Sequence, residues 1–420
     1  DMVVVNLYPF ERTISDQNCT FNEAIENIDI GGPTLLRASA KNHTRVTVLT
    51  EPEDYQNVIN EIEKSGSITK SMRRELASKA FLKVSKYDAM IAIFLLNKQK
   101  SESLLSSNIH LEANELEELR YGENPHQKAK LYGVITPILS SFNYSQLSGK
   151  KISFNNLVDT ESAYSCVEQF KEPTCVIVKH ANPCGVASAK SIDEAYKKAY
   201  KTDPTSAFGG IIAFNKKIDS VLIKKIINKQ FVEVIAAPAF DNNASNVIKA
   251  KPNVRLIKID HKQNSQIYEA KLLRNKLLVQ EKDDKNLLRK NLKIVTNKKP
   301  TKTQLDDMIF AFKVSRYVKS NAIVLVKNMK TLAIGAGQMS RIESTNIANN
   351  KAKREKISLK GCVMASEAFF PFRDNVDLAK KIGVSAIIQP GGSINDETII
   401  NVANKLKLSM CFSGVRVFKH

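Results

Sequence analysis

The sequence predicts an α/β fold, and three observations predict it. Short apolar runs such as Cys175–Val178, Ile211–Phe214 and Ile323–Val326 read as buried strands. They alternate with longer segments whose apolar residues recur at helical spacing. This alternation occurs in a similar order twice, over residues 155–240 and again from 303 to the end, as two related layered subdomains would require. A chain of 420 residues with 43% hydrophobic content can bury substantial cores and suits two or three domains.

In chain order, residues 2–8 read as a buried strand ending at Tyr8-Pro9-Phe10. The start has no basic n-region and no small-residue cleavage site, so it is not a signal peptide. It reads as a strand entered part-way, and because Asp1 is not an initiator methionine an upstream segment is expected. Residues 22–28 form a short amphipathic helix. Gly31-Gly32 then make a turn that feeds Pro33 at a first helical position, followed by TLLRASAKN; a helix start approached in this way suits an anion. Residues 45–49 read as a strand and 51–64 as a helix. The segment 69–97 is a long helix with an apolar stripe of Leu76, Ala80, Phe81, Val84, Tyr87, Ile91, Phe94 and Leu95. The pattern is lost over 98–115, where a domain boundary is expected.

Leu119-Arg120-Tyr121-Gly122-Glu123-Asn124-Pro125-His126-Gln127 is the densest polar cluster of the chain. An arginine can hold a phosphate bidentately, and a tyrosine offers a stacking face and a hydroxyl. A helix over 155–170 precedes the run Cys175–Val178, which breaks into Lys179-His180-Ala181-Asn182-Pro183-Cys184-Gly185. A cation and an imidazole thus stand at the carboxyl end of a strand, where open α/β sheets bind ligands, with Asn-Pro and Gly expected to turn the chain straight after them. An imidazole's unperturbed pKa lies near neutrality, so a histidine at this place can take and return a proton, and a facing Lys179 would disfavour its imidazolium form. A bland reading makes Lys179 a solvated strand-end charge and His180 a satisfied structural residue. The first pass continues with helices over 191–201 and 218–228 and strands in AFGGIIAF and EVIAAPAF. Residues 251–300 are rich in Lys and Asn, with at least one strand pair near 254–279.

The second pass runs from a helix over 303–318 through the strand at 321–326, helices over 342–353, 374–382 and 396–406, and the strand runs VMASEAFFPF and SAIIQPGGS to a final strand. Gly335-Ala336-Gly337-Gln338-Met339-Ser340-Arg341 follows a strand and opens a helix, but it matches neither GxGxxG nor GxxxxGK[ST]. Arg341 stands where the helix dipole does not favour a cation, which points to a ligand or a partner chain. Phe369-Phe370-Pro371-Phe372-Arg373-Asp374 ends an aromatic run in a charged turn, with Asp374 at or near a helix cap. Pro390-Gly391-Gly392-Ser393 is a second strand-end turn. Arg416 falls in the last strand, VRVF, where a charge alternates out of the apolar face.

Composition narrows the classes. No run of about 18 apolar residues exists, so no membrane span is expected. The six cysteines form no CxxC pair and several lie in apolar runs, which predicts reduced, buried thiols in a cytoplasmic protein and no zinc site. The six histidines are scattered. The net charge of +20 would suit nucleic acid, but the lysines are spread along the chain and no nucleic-acid motif accompanies them. Such a surface equally attracts polyanionic small molecules.

Taken together, NLYPF, IDIGGPTLLRASAKNH, LRYGENPHQ, KHANPCG, AFGGI, SNAIVLV, GAGQMSR, AFFPFRDN and the arginine-bearing C-terminal segment resemble, in this order and over essentially the whole chain, the bifunctional purine-biosynthesis family. That family combines aminoimidazole carboxamide ribotide (AICAR) formyltransferase with inosine monophosphate (IMP) cyclohydrolase. The resemblance implies a methylglyoxal-synthase-like domain over 1–110, of which only the later part is present. Two tandem cytidine-deaminase-like α/β subdomains, 115–300 and 301–420, would form the transformylase. The family's preceding Gly-rich phosphate loop and a further active-site lysine are not in this sequence; were they missing from the molecule, cyclisation would be lost. Lys179, His180, Asn321 and Asp374 match the formyl-transfer cluster. Arg120, Tyr121, Gly209, Glu233, Phe369 and Arg416 match nucleotide positions, with Glu233 standing where some members have aspartate. Arg341, Ser393 and Ile394 match folate positions, and Tyr8, Asp29 and Lys41 match cyclisation positions. The resemblance also implies 10-formyltetrahydrofolate as cosubstrate, no tightly bound cofactor, AICAR as substrate and a homodimer, with no nucleic-acid or membrane partner. The competing readings are a charge-driven nucleic-acid binder, a deaminase on the same fold, disfavoured by the missing zinc signature, a catalytically dead scaffold, and a transformylase whose residues 1–110 are a structural or dimerisation remnant.

Overall fold

The computed structural model describes residues 1–16, 18–98, 109, 111–135, 142–260 and 268–420. These divide into two compact units, one holding the residues up to Asn114 with the end of one later strand, the other holding nearly all the rest. Most of the segment over which the helical pattern fades, 99–108 and 110, lies outside the described residues.

In the first unit, β1 (Met2–Val4) pairs in parallel with β2 (Thr47–Leu49). The buried strand expected over 2–8 is shorter and half-exposed: Met2 and Val4 turn outward and only Val3 faces in, because β1 has a single strand neighbour among the described residues. Between these strands come α1 (Phe10–Ser15), α2 (Phe21–Glu26) and α3 (Gly31–Lys41). Thr20 and Glu23 close a reciprocal capping box on α2. Gly31 and Gly32 are not a turn but the first two residues of α3, so Pro33 is its third residue. After β2 follow α4 (Tyr55–Ser65) and the long α5 (Lys70–Lys98). The stripe on α5 is buried at Leu76, Ala80, Val84 and Tyr87, while Phe81 and Leu95 are exposed because each sits one step, about 100°, around the helix from a stripe position. Two strands, β3 (Glu112–Glu118) and β4 (Lys130–Ile135), form a separate ribbon.

The second unit contains the duplicated order. Its first half runs β5 (Tyr144–Ser148), α6 (Phe154–Val167), β6 (Thr174–Lys179), β7 (Asn182–Ser188), α7 (Ile192–Tyr200), α8 (Pro204–Ala207), β8 (Gly210–Phe214), α9 (Ser220–Lys229), β9 (Val232–Ala237), α10 (Ala244–Ile248) and β10 (Arg255–Ile259). A hairpin of β11 (Tyr268–Leu273) and β12 (Lys276–Glu281) supplies the strand pair expected in the Lys/Asn-rich stretch. The second half runs β13 (Lys293–Ile294), α11 (Lys302–Ser315), β14 (Ile323–Val326), β15 (Thr331–Gly335), α12 (Arg341–Arg354), β16 (Val363–Ser366), α13 (Asp374–Ile382), β17 (Ala386–Gln389), α14 (Asp396–Lys405) and β18 (Ser409–Phe412).

The two six-stranded sheets have the same topology. Their strand orders are β5-β10-β9-β8-β6-β7 and β13-β18-β17-β16-β14-β15. Each is mixed, with parallel pairs at β8–β9–β10 and β16–β17–β18 and an antiparallel hairpin at one edge. Strand alternation sorts the side chains between two faces. Val176 and Val178 enter a core shared with Val324 and Val326, together with residues of α6 and α11. Cys175 and Ile177 face α7 and α9, and Ile323 and Leu325 face α12 and α13. The edge strands β7 and β15 meet: Ser188 donates its N–H to Met329 O at 2.9 Å, and Thr331 Oγ1 accepts from Val186 N at 2.9 Å.

Two expectations change here. No turn follows His180 at Asn-Pro; His180 and Ala181 are themselves the turn, and Asn182-Pro183 already belong to β7, an edge strand where proline costs no ladder bond. The last strand is β18, not VRVF. The chain leaves the sheet at Ser413-Gly414, where Gly414 has φ +68°, and Arg416 lies in an irregular tail with Val417 buried and Arg416 exposed.

Candidate active site

The β6–β7 turn is the centre of the site. His180 and Ala181 both have φ +55°, a left-handed conformation that costs a non-glycine residue roughly 1–2 kcal/mol. Asp159, on α6, holds the turn with both carboxylate oxygens. His180 N–H donates to Oδ2 at 3.2 Å and Ala181 N–H donates to Oδ1 at 2.6 Å. Burial pushes the Asp159 carboxyl above the usual range, and these two N–H donors oppose that shift. The His180 side chain is exposed. Lys179 Nζ donates to Phe208 O at 2.7 Å, beside Gly209. Asn182 Nδ2 donates to His180 O at 3.2 Å, and Asn182 Oδ1 accepts from Lys319 N at 2.9 Å, two residues before Asn321. The turn is therefore tied to both halves of the unit.

On the first half, Glu233 accepts from Arg255 Nη1 at 3.2 Å and from Asn156 Nδ2 at 3.1 Å. Arg255 is buried and also donates to the carbonyls of Lys150, Lys151 and Asn253. Desolvation lowers its pKa, with Glu233 opposing. Arg120 is exposed and its guanidinium lies 5.3 Å from the Tyr121 ring centroid. Part of the polar run 119–127 builds its own loop, because Gln127 accepts from Asn124 and Gly122. Gly209 has φ +73°, which favours glycine there.

On the second half, a cavity of about 340 Å³ is lined by Asn321, Arg341, Phe369, Asp374, Arg416 and Phe418, among others. The expected cation at a helix start is present, but its partner is internal. Arg341 Nη1 donates to the fully buried Glu367 at 2.5 Å and to Ser366 Oγ at 3.0 Å, and Nη2 donates to Asn321 Oδ1 at 2.8 Å. Arg341 Nε is buried and has no hydrogen-bond partner among the described residues. Asn321 Nδ2 donates to Gln338 O at 2.8 Å, so both ends of that amide are engaged. Asp374 is the first residue of α13, where the helix dipole favours an anion, and its Oδ1 accepts from Asn375 N at 2.7 Å. Arg416 stacks over Phe418 at 4.5 Å. The loop after β17 is tied to the aromatic segment by Asn395 Nδ2 donating to Pro371 O at 2.8 Å. Ser393 and Ile394 lie on this loop but do not line the cavity, and Ile394 is wholly exposed. Lys179, His180, Arg120, Tyr121, Gly209 and Glu233 do not line it either.

In the first unit, Asp29 accepts from Gly32 N at 2.7 Å and from Tyr8 N at 3.3 Å. The start of α3, expected to suit an anion, thus already carries the chain's own carboxylate. Tyr8 and Asp29 are adjacent, whereas Lys41 ends α3, about 16 Å along the helix axis from its start. Five of the six cysteines are buried and all are free; burial pushes Cys166, Cys184 and Cys362 up to about 12. Among the described residues, no group of three or more His, Cys, Asp or Glu is placed to hold a metal ion, and no helix is long and apolar enough to cross a membrane. Sequence reasoning missed Asp159, Asn182, Arg255 and Glu367. The internal repeat held a signal for the first of these: Asp159 precedes His180 by 21 residues, and Asp307 precedes Asn328 by 21.

Residues 39–351 match a family described as the AICARFT/IMPCHase bienzyme. The chain is also similar to the bifunctional purine biosynthesis protein PurH of Polynucleobacter asymbioticus (strain DSM 18221 / CIP 109841 / QLW-P1DMWA-1). The two are 47% identical over 432 residues, covering 100% of this chain and 82% of that protein.

Proposed function

The chain belongs to the AICARFT/IMPCHase bienzyme family, and from that premise we propose that it transfers a formyl group from 10-formyltetrahydrofolate to the 5-amino group of AICAR and closes the product to IMP with loss of water. The observation that carries the first step is the His180-Ala181 turn that follows Lys179, held on one side by Asp159 and tied on the other, through Asn182 and Lys319, to the segment bearing Asn321.

The chemistry follows from the residue types. The AICAR amine is a weak nucleophile because its lone pair is delocalised into the ring and the carboxamide. Neutral His180 takes the N–H proton as the amine nitrogen bonds to the formyl carbon. A positioned base of this kind supplies about 10²–10⁴-fold, roughly 3–5 kcal/mol. The tetrahedral oxyanion is stabilised by the Lys179 ammonium. Its collapse breaks the bond to the folate nitrogen, which leaves with the proton that His180 took from the amine; we assign Asp374, which lines the cavity, to assist that delivery. Asn321 and Arg341 form one hydrogen-bonded unit that orients what enters the cavity. Arg120, Tyr121, Gly209, Glu233, Phe369 and Arg416 are assigned to the nucleotide, and Arg341, Ser393 and Ile394 to the folate. Ring closure joins the carboxamide nitrogen to the formyl carbon and expels water, which asks mainly for preorganisation and proton shuttling by Tyr8, Asp29 and Lys41. A second reading, formyl transfer alone, is favoured by one observation, the length of α3 that separates its start, where Gly32 N–H donates to Asp29, from Lys41.

The test is a two-part assay. Formylation is followed by tetrahydrofolate release, and cyclisation of formyl-AICAR by IMP formation. Both activities are expected; formylation without cyclisation would select the second reading, and neither would sink the proposal. His180→Ala is expected to lower formylation about 10²–10⁴-fold and to leave cyclisation unchanged. Near-normal formyl transfer in that variant would remove His180 as the base.

A further inference from the structure

We infer that Asp159 is a positioning residue for formyl transfer: its carboxylate, reaching from α6, fixes the backbone of the His180–Ala181 turn and thereby the point from which the imidazole works. The two residues of this turn are both left-handed and neither is glycine. Two successive N–H groups of the turn donate to the two oxygens of one carboxylate, at 3.2 and 2.6 Å, so the turn is gripped at both of its residues at once. Ser162 Oγ, on the same helix, donates to Ala181 O at 3.2 Å. The turn is thereby attached to the helix that packs under its own sheet, not only to its flanking strands.

The second half of the unit repeats the device without the imidazole. Asp307, on α11, accepts from Asn328 N at 2.9 Å and from Met329 N at 2.7 Å, and these two residues are also left-handed, with φ of +55° and +56°. There the turn opens with asparagine, a residue that enters this conformation readily. In the first half the corresponding places are His180 and Ala181. Alanine, like Met329 in the second copy, gains nothing locally from the conformation, so the second place of each turn leans on its carboxylate. The second copy also supplies an internal control: the same bonds, in the same place in the fold, with no chemistry assigned to them.

This inference rests on His180 being the base, and the experiment separates the two. Steady-state formylation is measured for the wild type, Asp159→Asn, Asp159→Asn combined with Ala181→Gly, Asp307→Asn and His180→Ala, with a thermal midpoint for each. Asp159→Asn is expected to lower kcat about 10- to 100-fold while the AICAR KM moves less than about threefold. Adding Ala181→Gly, which lets that position take a positive φ freely, is expected to restore kcat about fivefold or more. Asp307→Asn is expected to lose thermal stability yet keep kcat within about twofold. The inference is overturned if Asp159→Asn keeps wild-type kcat, or if Asp307→Asn loses kcat equally, since the carboxylate would then serve only the fold. Should Asp159→Asn fail to fold, Asp159→Glu, which keeps the charge but displaces it by one methylene, is read in the same way. An inactive His180→Ala beside a fully active Asp159→Asn removes this inference alone; an active His180→Ala removes both.

Discussion

Arg341 opens a helix whose dipole opposes a cation there, and the buried Glu367 carboxylate is what holds it in place. Removing one member of a buried ion pair leaves the other uncompensated. Glu367→Gln is therefore expected to cost about 3 kcal/mol in denaturant unfolding. Combining it with Arg341→Met should recover part of that loss, and a double variant no more stable than the single one would contradict the pairing argument. The sequence drew attention to Arg341 through the dipole alone. It could not reveal Glu367, which follows a buried strand and carries no local mark of a partner 26 residues upstream. His180 drew attention because an apolar run ends in a titratable residue. Its left-handed backbone was not legible, since nothing about His-Ala announces φ of +55°, and Asn-Pro drew the expected turn two residues too late.

Among the elements, the strands whose residues are all apolar were the most legible, because a strand covered on both faces has no polar alternation to confuse it. β3, with the sequence Glu112–Glu118, was missed for the opposite reason: it pairs in a two-stranded ribbon, and its charged residues stay in solvent. Helix starts were legible where a cap fixes them. Ser153 and Thr301 cap α6 and α11 in equivalent boxes. Thr301→Ala is expected to cost about 1 kcal/mol in unfolding free energy. Gly335 shows how closely elements approach. A Cβ there would press into the carbonyl oxygen of Ser344 on α12, within a turn of Arg341. Gly335→Ala should thus cost about 1–3 kcal/mol by overpacking and weaken formylation by shifting the start of α12. A variant with wild-type stability would show that the helix yields without strain.

Within the second unit as a whole, Asp203 joins the two halves. It caps α8 through Ser206, and from α12 it is approached by Arg354 at 2.8 Å and Lys351 at 3.3 Å. Burial would raise its pKa, but the Ser206 hydroxyl and N–H and the Lys351 ammonium outweigh burial and hold it below the usual carboxylate range. A carboxyl more acidic in the folded than in the unfolded chain adds stability above the unfolded value, near pH 4, and loses it as the pH falls through the folded value. Asp203→Asn is expected to cost about 2 kcal/mol at neutral pH, with the gap to wild type closing below about pH 4. A gap independent of pH would show that the charge is not what matters. The duplicated order of this unit was legible from strand and helix spacing. The meeting of β7 with β15 was not, because contact between two edges leaves no periodicity in either.

The shared core has a consequence during synthesis. Val176 and Val178 leave the ribosome well before Val324 and Val326, the side chains they pack beside. At ordinary elongation rates that interval is on the order of 10–30 s. Throughout it the inner face of the first sheet and of α6 has no counterpart to cover it. A nascent chain arrested between the two halves is therefore expected to recruit holding chaperones and to be cleaved readily by protease, and one arrested beyond residue 420 to be neither.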